Sequence, residues 1–210
     1  MKLRYKKLVI IITVITLGLG FFILTLIPTG GTAQQSAEDA ELKLNENEEI
    51  NKLITDYYTA KKTVNIVAIS ALVSAPDQIN KEKFTAMAEY VEDYQNINCY
   101  VIENKESDGY CVFVRYDMKL KNISALAPCF TFFYVTTTSD GSYIIYFSAL
   151  DEAQVEFINS AKKNSEVIKI EEEVKQQTQE LINKDLSFKQ LYQKVDSQNK
   201  SATSSGAAAQ

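Results

Sequence analysis

Twenty consecutive residues, Leu8 to Ile27, carry no charge. As a helix rising about 1.5 Å per residue they would extend about 30 Å, the thickness of a bilayer's hydrocarbon core. Lys2, Arg4, Lys6 and Lys7 precede the run and Pro28 follows it. Thr13, Thr16 and Thr25 can return their hydroxyls to helix carbonyls. The pattern predicts a transmembrane anchor over residues 8–27, a cytoplasmic basic flank over residues 1–7 and an extracellular remainder. A cleaved signal peptide competes with it, because Gly31-Thr32-Ala33 offers small residues before a cut after Ala33. The apolar core of such a peptide usually runs about 7–15 residues, so the retained signal-anchor is the preferred reading. Gly18 and Gly20 do not make the GxxxG spacing, and dimerisation through the anchor has no specific support.

Charge divides along the same boundary. The 210 residues include 22 basic and 27 acidic side chains, and four of the basic ones precede the run. The remainder holds 18 basic against 27 acidic groups, a balance of −9. An acidic exterior gives no electrostatic reason to bind nucleic acid or to lie on an anionic bilayer. The chain has no His, which excludes a Ser-His-Asp triad, a Cys-His pair and a His-ligated zinc site. Cys99, Cys111 and Cys129 are an odd set, so they cannot all pair within one chain. Their spacings of 12 and 18 residues fit no compact metal motif. Buried, reduced strand cysteines are the simplest reading, with one disulfide between neighbouring strands left open, Cys111 to Cys129 included.

Residues 28–44, with Gly30-Gly31 and Gln34-Gln35-Ser36, read as a tether. Helical spacing of Ile50, Leu53, Ile54, Tyr57 and Tyr58 continues through Val64, Val67, Ala68 and Leu72 to a stop at Pro76. A second helix is expected after Asn80, with Phe84, Met87 and Val91. The period then changes to two. Residues 98–104 are a short strand candidate. Tyr110, Val112, Val114, Tyr116 and Met118 alternate with Cys111, Phe113, Arg115, Asp117 and Lys119. Phe130 to Thr138 is aromatic and β-branched, and Ser139-Asp140-Gly141 turns it into a return strand over residues 143–147. Helices follow from Asp151, after Asn164-Ser165 and around Phe188 and Leu191, and residues 197–210 read as a disordered tail. The expected division is residues 45–150 as an α+β domain and residues 151–196 as a helical C-terminal extension.

Asp56, Tyr58, Tyr90, Asp93, Tyr94, Arg115, Asp117 and Tyr134 are the polar groups that would line a cavity. An Asp beside a Tyr can serve as an acid–base pair, but nothing in the spacing assembles one. Catalytic, cofactor-binding and metal-binding residues are therefore assigned to none, and no cofactor is expected. Phe130, Phe132, Phe133 and Tyr134 put large rings on both faces of one strand. One face should meet the N-terminal helices; C-terminal helices, a second chain or nothing covers the other. An exposed face of this kind would be a partner site.

Residues 110–121, Ala127-Pro128, and Tyr134 through Asp140-Gly141-Ser142 to Tyr146 carry a resemblance to the NTF2-like superfamily. More closely, the chain is similar to uncharacterised membrane-anchored NTF2-like proteins of anaerobic Firmicutes, some with bacterial SH3 domains. The resemblance implies a cone, a curved antiparallel sheet packed on helices, and it implies neither catalysis nor binding on its own. No family catalytic residue can be placed on a chain without His. The expected role is a non-catalytic, membrane-tethered extracytoplasmic interaction or assembly domain in the cell envelope. Its partners would be the lipid bilayer through residues 8–27 and an envelope protein or a second copy. The alternatives are a conjugation or secretion channel subunit and a small-ligand-binding or enzymatic cone.

Overall fold

The computed structural model describes residues 37–193. A short 3-10 turn, Ala37–Asp39, leads to β1 (Lys43–Leu44). Helix α1 (Glu48–Lys62) follows, capped by the Asn47 side chain, which accepts from the Ile50 amide at 2.9 Å. Glu48 and Glu49 lie in its first turn and Lys61 and Lys62 in its last, each on the side of the helix dipole that favours its charge. Helix α2 (Ile66–Ser70) is separate, because the backbone reverses at Val64 with φ 53°. Helix α3 (Lys81–Ala88) is capped by Asn80. Four strands follow: β2 (Val91–Glu103), β3 (Gly109–Leu120), β4 (Leu126–Thr137) and β5 (Tyr143–Ile145). Helix α4 (Glu152–Ala161) opens with a capping box between Asp151 and Gln154, and α5 (Ser165–Lys184) is capped by Asn164. A final helix, α6, covers residues 186–193.

The strands form one open antiparallel sheet in the order β1-β2-β3-β4-β5. Alternation sorts their side chains onto two faces. Val112, Val114, Tyr116, Met118, Cys129, Phe133 and Val135 pack on one side with Ile50, Ile54, Tyr57 and Tyr58 of α1. Cys111, Phe113, Phe130 and Tyr134 pack on the other with Ile158 and Ala161 of α4 and Val167 and Val174 of α5. Phe188 of α6 returns to the first side. In β2 the register slips between Gln95 and Asn98, where Asn96 takes φ 51°. This bulge shifts the alternation, so that Tyr94 before it and Cys99 after it face the same core. Gly109, at the start of β3, makes room for Tyr134: a Cβ there would lie 2.1 Å from the tyrosine hydroxyl.

The structure corrects the expected fold class. The sheet is not curled into a cone around N-terminal helices; it is open, and helices lie against both of its faces. The aromatic face of β4 is closed within the chain, because α4 and α5 seal Phe130 and Tyr134. Phe130 and Tyr134 therefore do not form the exposed aromatic face considered as a site for an envelope protein or a second copy. No helix among the described residues is long and apolar enough to cross a membrane. The described fold thus supplies no span for the expected lipid-bilayer partner through residues 8–27, the single-pass location with an extracellular domain, or the membrane-tethered assembly or channel role. The basic flank, the run over residues 8–27, the cut after Ala33 and the tail at 197–210 lie outside the described residues. Within the expected tether, Ala37 is buried in the second core and Lys43 and Leu44 pair with Val101 and Tyr100.

Candidate functional site

The sheet face under α1 holds the concentration of polar chemistry. Tyr57, Tyr58 and Lys61 lie within one turn of the helix, at the spacing that puts side chains on a shared face. Tyr58 is fully buried at the centre of an aromatic cluster. Its ring centroid lies 4.7 Å from that of Tyr116, 5.0 Å from Tyr94 and 5.7 Å from Tyr57. Cys129 stands opposite Tyr116, and its thiol donates to the Ala127 carbonyl at 3.5 Å. The Lys61 ammonium lies over this cluster, with Nζ 5.0 Å from the ring centroid of Tyr94, 5.2 Å from Tyr58 and 6.0 Å from Tyr57. Negative ring faces attract a cation at this range.

Lys61 has neither an ion pair nor a hydrogen-bond acceptor among the described residues. Asp93, which adjoins Tyr94 on β2, is held by Lys62 at 2.7 Å. Among the described residues the sealed side-chain polar atom without a partner is Asn51 Oδ1; Lys61 is partly exposed, and its Nζ keeps some contact with solvent.

Burial disfavours the charged form of every group here. It lowers the Lys61 amine to about 8, and the charge of Lys83 on α3 pushes in the same direction. It raises the Tyr57 phenol to about 12 and those of Tyr58, Tyr94 and Tyr116 well above their ordinary range. The Cys129 thiol is pushed up to about 12, again chiefly by burial. At neutral pH the cluster is thus one cation set among protonated phenols and a protonated thiol. It offers a mostly charged amine and several weak donors, but no thiolate.

The polar residues singled out from the sequence do not converge. Tyr58 and Tyr94 meet in this cluster. Asp56 is on the exposed side of α1 and pairs with Lys52. Asp93 pairs with Lys62, and Tyr90 is exposed. Arg115 and Asp117 project from the second face of the sheet as a pair at 2.7 Å; Arg115 also donates to Gln177, and Asp117 accepts from Asn96 at 2.6 Å. Tyr134 packs edge-on against Tyr146 at 5.9 Å in the second core. The acid–base pair considered for an Asp beside a Tyr is not assembled, because Asp93 turns to Lys62 while Tyr94 turns inward. Sequence reading missed Lys61. The available signal was its position one turn after Tyr57-Tyr58, but its other ring, Tyr94, comes from a distant strand.

All three cysteines are free and buried. Cys111 stands opposite Tyr134 and Cys129 opposite Tyr116, and the two belong to different cores, so they do not face each other. Burial pushes Cys99 to about 12 and Cys111 higher still. A groove of about 350 Å³ at the start of α1 is lined by Lys43, Glu46, Glu48, Glu49, Glu103 and Tyr110, among others. Its carboxylates form no group able to hold a metal ion among the described residues. Comparison with protein-family models, with curated proteins and with solved structures finds no match for this chain.

Proposed function

We propose that the folded unit is a ligand-binding module, not an enzyme, and that its ligand sits at Lys61. One observation carries this reading: a half-buried ammonium is held over three tyrosine rings with solvent contact and without an ion-pair or hydrogen-bond partner among the described residues. Desolvated charges in folded proteins are ordinarily paired. A cation held this way is a group whose partner arrives from outside. The protonation states support binding over turnover. The phenols and the thiol around Lys61 are held neutral, and the Asp93 carboxylate is already engaged by Lys62. A thiolate is absent from this cluster, and the Lys61 amine is mostly charged at neutral pH, the form that binds rather than the form that reacts.

The chain has no Trp, so its near-ultraviolet emission comes from tyrosine and reports on rings such as these. A screen of small polar molecules against the full chain, read by tyrosine emission and thermal unfolding, tests the proposal. The expected result is a compound that changes the emission and raises Tm in the natural chain but does neither in Lys61→Met. Hits that bind Lys61→Met equally well, or chemical conversion of a hit by the protein, would contradict it.

A further inference from the structure

Resting on that binding reading, we propose that the ligand at Lys61 is a small carboxylate, gripped by the Lys61 ammonium with Lys83 adding to the positive field. The groups that face Lys61 from each neighbouring element point to this class. Helix α1 contributes the rings of Tyr57 and Tyr58. Strand β2 contributes Tyr94, beside Asp93 with its lysine partner already in place. Tyr116 and Cys129 lie behind these rings on β3 and β4, and helix α3 contributes Lys83, a second cation. The balance is two positive charges against one carboxylate already neutralised by Lys62. A cationic ligand would be repelled by both lysines, and a neutral one would leave the desolvated ammonium uncompensated. A single carboxylate matches the compact ammonium of a lysine. The planar guanidinium fork that suits bidentate recognition of a phosphate is missing from these neighbours.

Binding of this kind has a pH signature. The ligand needs the charged amine, and burial already lowers that amine to about 8 in the free protein. Between pH 7 and pH 9 the charged fraction falls about tenfold, and affinity for a carboxylate should fall with it.

The test titrates four ring compounds of one shape into the full chain by calorimetry: benzoate, benzamide, benzylamine and phenyl phosphate. Benzoate should bind at pH 7, about tenfold more weakly at pH 9. Its binding should be lost in Lys61→Met, largely kept in Lys61→Arg, which preserves the charge, and weakened in Lys83→Met. Lys61-dependent binding of benzamide or benzylamine in place of benzoate would overturn the carboxylate assignment and leave the binding reading intact. So would phenyl phosphate binding more tightly than benzoate. Absence of Lys61-dependent binding for all four would overturn both.

Discussion

The two faces of the sheet are built to different standards. The face under α4 and α5 is closed by apolar packing, with Phe113 stacked parallel to Phe130 at 6.1 Å and tilted against Phe132 at 5.3 Å. Its buried polar residues are satisfied: the Thr178 hydroxyl donates to the Val174 carbonyl at 2.8 Å, and Asn164 is fully used. The amide donates to the Ala37 and Ala40 carbonyls, and the oxygen accepts from the Glu166 amide. The face under α1 and α2 carries two local costs. Val64 sits at φ 53°, a region that β-branched residues rarely enter, and Lys61 holds a desolvated charge without a counter-ion among the described residues. Strain and unpaired charge concentrate where a protein uses a surface, and packed, satisfied groups concentrate where it only needs cohesion. The contrast makes a simple forecast. Substitutions on the closed face should destabilise, and those at the two costly positions under α1 should not.

The largest effect is expected at Phe113, which is completely buried. Phe113→Ala should lower unfolding stability by about 3–5 kcal/mol in a urea titration. Asn164→Ala comes next. It removes the cap of α5 and leaves two carbonyls short of a donor, so a loss of about 2 kcal/mol is expected. Val64→Gly should reverse the sign, adding about 0.5–1 kcal/mol as relief of the left-handed strain outweighs glycine's greater freedom in the unfolded chain. A loss of stability there would mean that the Val64 side chain contributes more by packing than its backbone costs.

Lys61→Met is the smallest effect and the sharpest discriminator. If Lys61 were a structural element held by its rings, removing the charge would destabilise the fold. The account predicts unchanged or slightly higher stability at pH 7. It also predicts a change in pH dependence. Folding lowers the amine's pKa from 10.5 to about 8, so between those values the unfolded chain binds more protons than the folded one. Stability from this group therefore rises as pH climbs through about 8. That rise, read by denaturant titrations from pH 7 to 9.5, should be present in the natural chain and missing in Lys61→Met.

Much of the fold was legible in the sequence because its signals are local. The alternation from Tyr110 to Met118 assigns β3 and both of its faces, Asp140-Gly141 marks the last hairpin, and Asp151 and Asn80 cap the helices expected of them. The failures share a cause. The start of β2 is rich in polar residues, and its bulge at Asn96 breaks the period of two, so the strand reads as starting late. The break between α1 and α2 falls at a valine, which gives no local signal for a left-handed turn. The covering of Phe130 and Tyr134 depends on helices that come later in the chain, so exposure could not be judged from β4 alone. Lys61 looked like an ordinary cation in the last turn of a helix, until Tyr94 was placed beneath it by the sheet.

The central claim is that Lys61 is a desolvated cation awaiting an anion. The most direct measurement is an NMR titration of the Lys61 side-chain ¹³Cε shift in the full chain, with and without benzoate, assigned by comparison with Lys61→Arg. The account predicts a midpoint near 8 in the free protein and a higher one when the carboxylate is bound. A midpoint at the ordinary lysine value of 10.5, unmoved by benzoate, would contradict it.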